Sequence, residues 1–455
     1  MRVSELFLPE VRDALKTDPE AIRELVEEIH PADTAEIFLG LSEEEQLTFL
    51  KSLPLTPQVE ILEELEDDLR ADLVEKLAPE MAVKLVAEMS ADERADLFHE
   101  LPAKLAAKIL GKLSKDDAKD LRSLLAWPEG TAGALMTTDY VELDAEMTVA
   151  EAIERIREVA EDVETIYYAY AVSPEGSLRG VVSLRSLVLS KPDKSIAELM
   201  DTEHLVTVHG GADQSEVTQA IAKYDLLAVP VVDDAGRLLG IITVDDTIDA
   251  AEEDNTEEVQ RMSGVTPLED SYLKAGFFQM IRSRAVWLVI LLLGEMLTSS
   301  VMSHFEETLQ SVIALTFFMP LIISAGGNTG SQSTGLLIRA LTLGEVMPKD
   351  TLQVAYREVV SGLVLGIILA AIGAVRVLFW PGLGGQVALV VGLSLTCVVA
   401  FAALVGGLMP IAVKKVGLDP AVASTPLVAT LVDVVGLLLY CLIAQAILGA
   451  AVSGG

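Results

Sequence analysis

Five apolar runs in the C-terminal part constrain this 455-residue chain more than any other feature: Ala285–Met302, Ser311–Ile338, Val359–Val375, Val387–Val413 and Val422–Leu448. A helix needs about 20 mostly apolar residues to cross about 30 Å of hydrocarbon, so the runs predict an all-α, five-helix transmembrane domain over residues 279–455, embedded in a lipid bilayer. Lys and Arg collect on the cytoplasmic side of membrane proteins. Arg282, Arg284, Arg339, Lys349, Arg357, Lys414 and Lys415 fall on one side of the runs and Arg376 alone on the other. This bias predicts a multi-pass protein of the cell membrane with its N-terminus cytoplasmic and, after five crossings, its C-terminus extracytoplasmic.

The formal net charge of −36 lies wholly before these runs: residues 1–275 carry 61 acids and 25 bases, residues 276–455 eight of each. So polyanionic a surface repels phosphate backbones and attracts cations, which argues against nucleic acid and for divalent cations as partners. The two cysteines, Cys397 and Cys441, lie in apolar runs without Cys-x-x-Cys spacing, which speaks against a disulfide framework or zinc site. Nothing in Met1–Pro9 resembles a cleaved signal peptide, so the acidic part is expected in the cytosol.

Within that part a hydrophobic residue recurs every twelve positions: Ile29, Leu41, Leu53, Leu65, Leu77, Met89, Leu101 and Leu113. Helix-start pairs follow several of them, as in Ser42-x-x-Glu45, Ser90-x-x-Glu93 and Ser114-x-x-Asp117. Short helices stacked as an all-α superhelical N-domain over residues 1–130 fit this period. Residues 131–255 read as two α/β units, about 136–199 and 200–255. The first has strands at Tyr140–Leu143, Thr165–Val172 and Gly180–Leu184 with a helix at Val149–Val159. The second has strands at Leu205–Val208, Leu227–Val232 and Leu239–Val244 with helices at Ser215–Tyr224 and Asp246–Ala251. The order, with Ala228–Val232 and Gly240–Asp246, resembles tandem CBS (cystathionine-β-synthase) domains. In that family such pairs are regulatory and some bind adenosine nucleotides, which makes ATP a candidate ligand. A connecting helix over 256–278, beginning in the acidic cluster Ala251–Glu258, is expected to join the pair to the membrane.

Two membrane runs carry polar groups. Asp433 sits in the fifth, between helix breakers, and an ionised Asp near a bilayer centre costs at least about 2.5 kcal/mol, so it should face a polar cavity. Pro426 lacks a backbone N–H and would free a carbonyl about one turn before it to line a pore. In the second run Gly326, Gly327, Asn328 and Gln332 stand where an apolar helix is expected: small residues allow close approach of helices or of an ion, and the amides offer neutral oxygen ligands. Tight helix packing is the alternative for the glycines. For Glu295 in the first run, a helix-bridging hydrogen bond is the better reading than an ion ligand.

Gly326-Gly-Asn-Thr-Gly-x-Gln-Ser with Arg339, Gly417-Leu-Asp-Pro-Ala, and Ser424-Thr-Pro-Leu-Val-Ala-Thr-Leu-x-Asp433 resemble the MgtE family of Mg2+ channels. His30-Pro-Ala-Asp, Thr131-Ala-Gly-Ala-Leu-Met-Thr-Thr and Glu164-Thr-Ile-Tyr-Tyr fit the same pattern, so the resemblance spans nearly the whole chain. It implies a Mg2+-selective channel, importing Mg2+ as a homodimer with a pore on the two-fold axis. Asp433 of both subunits would hold a hydrated Mg2+, with carbonyls around Ala429 and the residue at Thr425 beside it. It also implies closure by cytosolic Mg2+ bound between acidic domains, by matching position at Glu93, Glu216, Asp225, Asp246, Asp249, Asp254, Glu257 and Glu258.

Hydrated Mg2+ suits a wide carboxylate ring better than a tight cage, because the ion sheds water reluctantly. The competing reading, a CBS-regulated transporter of another divalent cation or of an organic or anionic solute, would for an anion want bases deep in the membrane, and no run has one. An ATP-binding signalling protein with a membrane anchor needs only one or two plain helices. No enzyme is expected: the five histidines are scattered and no Gly-x-x-x-x-Gly-Lys loop occurs.

Overall fold

The computed structural model describes residues 3–17, 19–268, 272, 275–381 and 383–452. The chain divides into two compact units, Met1–Glu252 and Glu253–Gly455.

The first unit opens with ten short helices: α1 (Val3–Thr17), α2 (Pro19–Glu28), α3 (Pro31–Leu39), α4 (Glu43–Ser52), α5 (Leu55–Glu63), α6 (Asp67–Lys76), α7 (Pro79–Glu88), α8 (Ala91–Glu100), α9 (Ala103–Leu110) and α10 (Lys115–Leu124). Helices this short are marginal alone and persist by packing. Most stack on the next-but-one neighbour, α1 on α3 on α5 on α7 on α9, α2 on α4, and α6 on α8 on α10. The twelve-residue repeat falls at the junctions: Leu53, Leu77, Met89 and Leu101 each close a helix, and all four are buried with Leu41 and Leu65. Ser42 and Glu45 form the expected capping box, the Ser42 N–H donating to Glu45 at 2.9 Å. Ser90 departs from the pattern: its N–H donates to Glu63 at 2.8 Å, while Glu93 pairs with Arg70. A guanidinium within reach outcompetes the local cap.

Next come α11 (Ala132–Leu135), β1 (Tyr140–Leu143), α12 (Val149–Val159), β2 (Thr165–Val172), β3 (Leu178–Ser183), α13 (Leu184–Leu189), β4 (Val208–His209), α14 (Gln214–Tyr224), β5 (Ala228–Val232), β6 (Leu238–Thr243) and α15 (Val244–Met262). They build two sheets of the same plan, β1-β2-β3 and β4-β5-β6, each with a parallel then an antiparallel pairing. Gly180 and Gly240 occupy matching places, where a Cβ would meet a backbone carbonyl, of Asp201 at 2.9 Å and of Thr137 at 2.5 Å. The strand expected at Leu205–Val208 is confined to Val208–His209.

The helix expected to end at Ala251 instead continues as α15 to Met262, taking in the acidic cluster and crossing the boundary between the units. It stops at a turn whose Gly264 has φ +71°, a conformation favouring glycine. The connecting segment is therefore not helical throughout: residues 263–268 are irregular, and 269–271, 273 and 274 lie outside the described residues.

The second unit holds α16 (Phe277–His304), α17 (Glu306–Ser311), α18 (Ala314–Thr342), α19 (Thr351–Leu378), α20 (Gly385–Lys415) and α21 (Thr425–Val452). Among the described residues, four helices are long and apolar enough to cross a membrane, at 277–304, 348–378, 385–415 and 425–448. The 29-residue α18 matches them in length but is interrupted by polar residues. Without a hydrophobic drive between helices in lipid, small residues and hydrogen bonds set the packing. Gly362, Gly366 and Gly373 seat α19 on α20. Pro410 has no N–H, which strips the Gly406 carbonyl of its helical donor; the Thr334 hydroxyl of α18 donates to it at 3.2 Å. At that crossing a Cβ on Gly406 would stand 2.3 Å from the Gly330 carbonyl oxygen.

Gly406→Val is therefore expected to destabilise the membrane unit by more than the usual overpacking cost of about 1–3 kcal/mol, because backbone rather than a flexible side chain must yield. Thermal unfolding of the detergent-solubilised protein should show a large drop, with Gly384→Ala, where a Cβ meets nothing within 4 Å, near wild type. Equal stability of the two variants would contradict the packing described.

Candidate ion path and acidic clusters

Asp433 lies eight residues into α21, about 12 Å along its axis at 1.5 Å per residue. It is half-buried, and among the described residues no hydrogen bond or ion pair engages its carboxylate. Gly327 of α18 faces it: a Cβ there would stand 3.5 Å from Asp433 Oδ1 and 3.7 Å from the Cβ of Ala429. Asn328 and Gln332, four residues apart and so on one face, are both exposed; the Asn328 amide donates to Ser324 Oγ at 3.4 Å. Amides on a lipid-embedded helix have to meet water or another polar chain.

Three expectations change here. Gly326 is buried between α20 and α21, where a Cβ would press on Val398 at 2.7 Å and Val432 at 2.8 Å, so it is a packing residue and not a pore lining. Pro426 belongs to the first turn of α21, where a missing N–H costs nothing, and does not interrupt the helix. Glu295 is exposed and makes no helix-bridging hydrogen bond among the described residues; beside it, a Cβ on Gly294 would stand 2.8 Å from Thr430 Cγ2 of α21.

Thr425 turns its hydroxyl to the connecting helix, donating to the Met262 carbonyl at 3.1 Å, while its own carbonyl accepts from Ser331 at 3.5 Å. A Cβ at Gly264 would touch Pro426 at 3.3 Å, so the turn after α15 rests on the start of α21. Arg261 donates to Glu257 and to Asp419, each at 2.7 Å. Glu258 accepts from Thr342 at 2.8 Å and faces Arg339 at 3.7 Å, and Arg339 also reaches Asn255 at 3.3 Å. Glu257 and Glu258, expected as cation ligands, are thus paired with bases of their own unit, and Asp254 lies within range of the Arg261 charge.

In the first unit, acids gather between α8 and α15. Burial and repulsion from Asp67 and Asp92 push Asp96 from 3.8 up to about 7. Burial and repulsion from Asp92 push Asp246 equally up to about 7, although the Thr243 N–H and hydroxyl donate to it at 3.2 and 2.6 Å. Asp92 itself is buried and its carboxyl raised for that reason, as are those of Glu63 and Asp139. Glu164, whose side chain still reaches solvent, is pushed up to about 8 by the protein around its carboxylate and by repulsion from Asp92 and Asp246. Asp249 is exposed and raised more modestly, by desolvation and Asp245.

Glu93, expected in such a cluster, is drawn off to the buried Arg70, which also holds Asp67. Its neighbours Asp92 and Asp96 are the acids turned toward Asp246. Their i, i+4 spacing on one short helix, unfavourable for like charges, was the available signal. Glu216 is exposed on the first turn of α14, and Asp225 closes that helix with φ +52°. Among the described residues, no three His, Cys, Asp or Glu side chains converge as a cage for a bare metal ion.

Carboxyls raised on folding contribute stability that is complete below their unfolded pKa, near 3.8, and lost as pH rises through about 7. In divalent-free buffer the melting midpoint is expected to fall between about pH 5 and pH 8, Asp96→Asn with Asp246→Asn should flatten the fall, and Mg2+ added at the upper pH should restore it. A midpoint that rises over this range would contradict the strain assigned to the cluster.

A profile for divalent cation transporters of the MgtE type matches residues 319–443, one for the MgtE intracellular N domain matches residues 29–130, and the CBS profile matches 132–191 and 196–253. The magnesium transporter MgtE of Thermus thermophilus is 38% identical over 452 residues, 98% of this chain and 100% of that one; its Bacillus subtilis counterpart is 32% identical over 424 residues, 93% of each. Among solved structures, the soluble part of a magnesium transporter is 34% identical with a TM-score of 0.53, covering 55% of this chain and 99% of the other. The cytosolic domain of the Mg2+ channel MgtE in complex with ATP is 36% identical with a TM-score of 0.51, covering 53% and 99%. A cytosolic N-terminal region, a CBS pair and apolar membrane helices in this order, matched along the chain's whole length, make it a member of the MgtE family of magnesium transporters, proteins that are not enzymes.

Proposed function

We propose that the chain forms a homodimeric, Mg2+-selective channel that admits Mg2+ to the cytosol and is closed by cytosolic Mg2+. The observation that carries this reading is the unpartnered carboxylate of Asp433, faced by Gly327 and sharing a helix pair with the exposed Asn328 and Gln332. A lone carboxylate in hydrocarbon is expensive. Two of them across a two-fold axis, holding a hydrated dication, turn that cost into a binding site, with the carbonyls near Ala429 beside it. Five helices, α18 included, would cross the bilayer and leave the C-terminus outside. In the cytosol, the stacked helices would wind into a superhelix ahead of the CBS pair, which would accept ATP; the similar cytosolic domain of the Mg2+ channel MgtE was solved in complex with that nucleotide.

Closure follows from electrostatics. Glu63, Asp92, Asp96 and Asp246 oppose a compact arrangement until a divalent ion offsets their charge, and an ion can shift a conformational equilibrium only by binding one state better. Spaced carboxylates suit Mg2+, which keeps its waters. Glu216, Asp225 and Asp249 add further carboxylates for outer contacts. α15 would transmit the change, since it begins at Asp246's own turn and ends against α21 at Thr425 and Pro426.

Asp433→Asn is expected to lower Mg2+ flux into proteoliposomes by about 100-fold or more while the protein still folds and dimerises, a loss of the ring charge that concentrates the ion. Unchanged flux would remove the pore assignment. Asp246→Asn with Asp249→Asn should conduct at internal Mg2+ concentrations that shut the wild type, and normal closure there would contradict the sensing role. Running Co2+ and Ca2+ beside Mg2+ tests selection among divalent cations.

A further inference from the structure

Glu358 is a carboxylate of the membrane unit that the ion path described above does not use. It stands on the eighth residue of α19, half-buried, and its Oε2 accepts a hydrogen bond from Ser333 Oγ of α18 at 2.7 Å. Its stem lies across the backbone of α20 at Gly407, where a Cβ would come within 2.6 Å of Glu358 Cγ. The side chain therefore reaches from α19 to α18 through a notch that a glycine leaves open. In the same stretch of α18, Thr334 donates to the carbonyls of Gly330 and Gly406 at 2.8 and 3.2 Å.

Ser333 and Thr334 are buried, whereas Asn328 and the adjacent Gln332 are exposed, so the two sets occupy different sides of the same turns. Side-chain contact with an apolar neighbour does little to set how a helix is rotated in a bilayer, because lipid is equally apolar; close packing and hydrogen bonds decide it. The Ser333–Glu358 bond joins a small-residue contact, Gly330 on Gly406, that would tolerate rotation poorly but does not by itself name a direction.

We propose that Glu358 is a positioning residue for ion conduction: by accepting the Ser333 hydroxyl, it holds the rotation of α18 that turns Asn328 and Gln332 to the ion path. This rests on the pore reading of α18. The role needs an acceptor oxygen at this place and does not need a charge, so an amide serves and a hydrocarbon does not.

The test uses the full-length protein in proteoliposomes with Glu358→Gln, Glu358→Leu and Ser333→Ala. Alongside it, Asn328→Cys, in a background with Cys397 and Cys441 changed to Ala, is labelled with a water-soluble, membrane-impermeant thiosulfonate. Glu358→Gln should keep Mg2+ flux within about twofold of wild type, while Glu358→Leu and Ser333→Ala each lose about tenfold or more, as small misplacements of a lining group do. Thiol labelling at position 328 should slow in Glu358→Leu and Ser333→Ala but not in Glu358→Gln. Ser333→Ala carries the test if Glu358→Leu does not fold. Unaltered flux and labelling in Ser333→Ala, or a Glu358→Gln as impaired as Glu358→Leu, would overturn the proposal. A residue 328 that does not label even in the parent would instead sink the pore reading and this proposal with it, whereas normal parental labelling with no effect of Ser333→Ala sinks this proposal alone.

Discussion

A carboxylate held in the low-dielectric interior of a membrane domain needs a counter-charge, a proton or water, and the second unit is organised around that requirement at Asp433. The helix that bears it is apolar along most of its length, and its neighbour α18 is as long but broken by Gly327, Asn328, Ser331 and Gln332. Gly327 leaves room next to the carboxylate, and the amides extend the polar strip by one turn and more. Its remaining polarity α18 hides within the bundle: Thr334 satisfies the carbonyl that Pro410 orphans, and Ser333 is spent on Glu358. One helix thus carries exposed and buried polar side chains within the same few turns.

The first unit meets a related problem with the opposite solution. Bases of the chain take up some of its acids, as Arg70 does Asp67 and Glu93, Arg94 does Asp117, Arg12 does Glu45 and Arg237 does Asp233. Asp92, Asp96 and Asp246 are left close together, at a cost that appears as carboxyls raised by burial and mutual repulsion. Farther along α15 the pattern reverses, and Glu257 and Glu258 are matched by Arg261 and Arg339. One end of this helix is thus strained by like charges, and the other is tied by ion pairs within the second unit.

Much of this was legible from residue order. The twelve-residue repeat marks helix junctions because a buried residue there closes one helix and lets the next turn back; α12 and β2 have the bounds that alternation of apolar residues implies. Asp433 stood out because charge inside an apolar run has few innocent explanations. What escaped needed tertiary knowledge. Ser90-x-x-Glu93 reads as a cap, yet Arg70, from another helix, claims Glu93, and the acids of α8 nearest Asp246 are Asp92 and Asp96. Pro426 reads as a break because the apolar run starts before it, whereas Asp419–Ala423 forms a separate turn and α21 begins at Thr425. Glu358 sits one residue outside its apolar run, and its place between Gly407 of α20 and Ser333 of α18 is what reveals it as part of the interior.

The most direct test of the central claim, that Asp433 meets a magnesium ion still wrapped in water, is block by hexaamminecobalt(III), whose inert ammine shell approximates a hydrated dication that cannot shed its ligands. Mg2+ flux through the wild type should be blocked from the extracytoplasmic side, and Asp433→Asn should lose affinity for the blocker by about tenfold or more, as expected when one side chain of a charged ring is neutralised in each subunit. Flux indifferent to the complex, or block of equal strength in both proteins, would contradict an ion held through its water at this carboxylate.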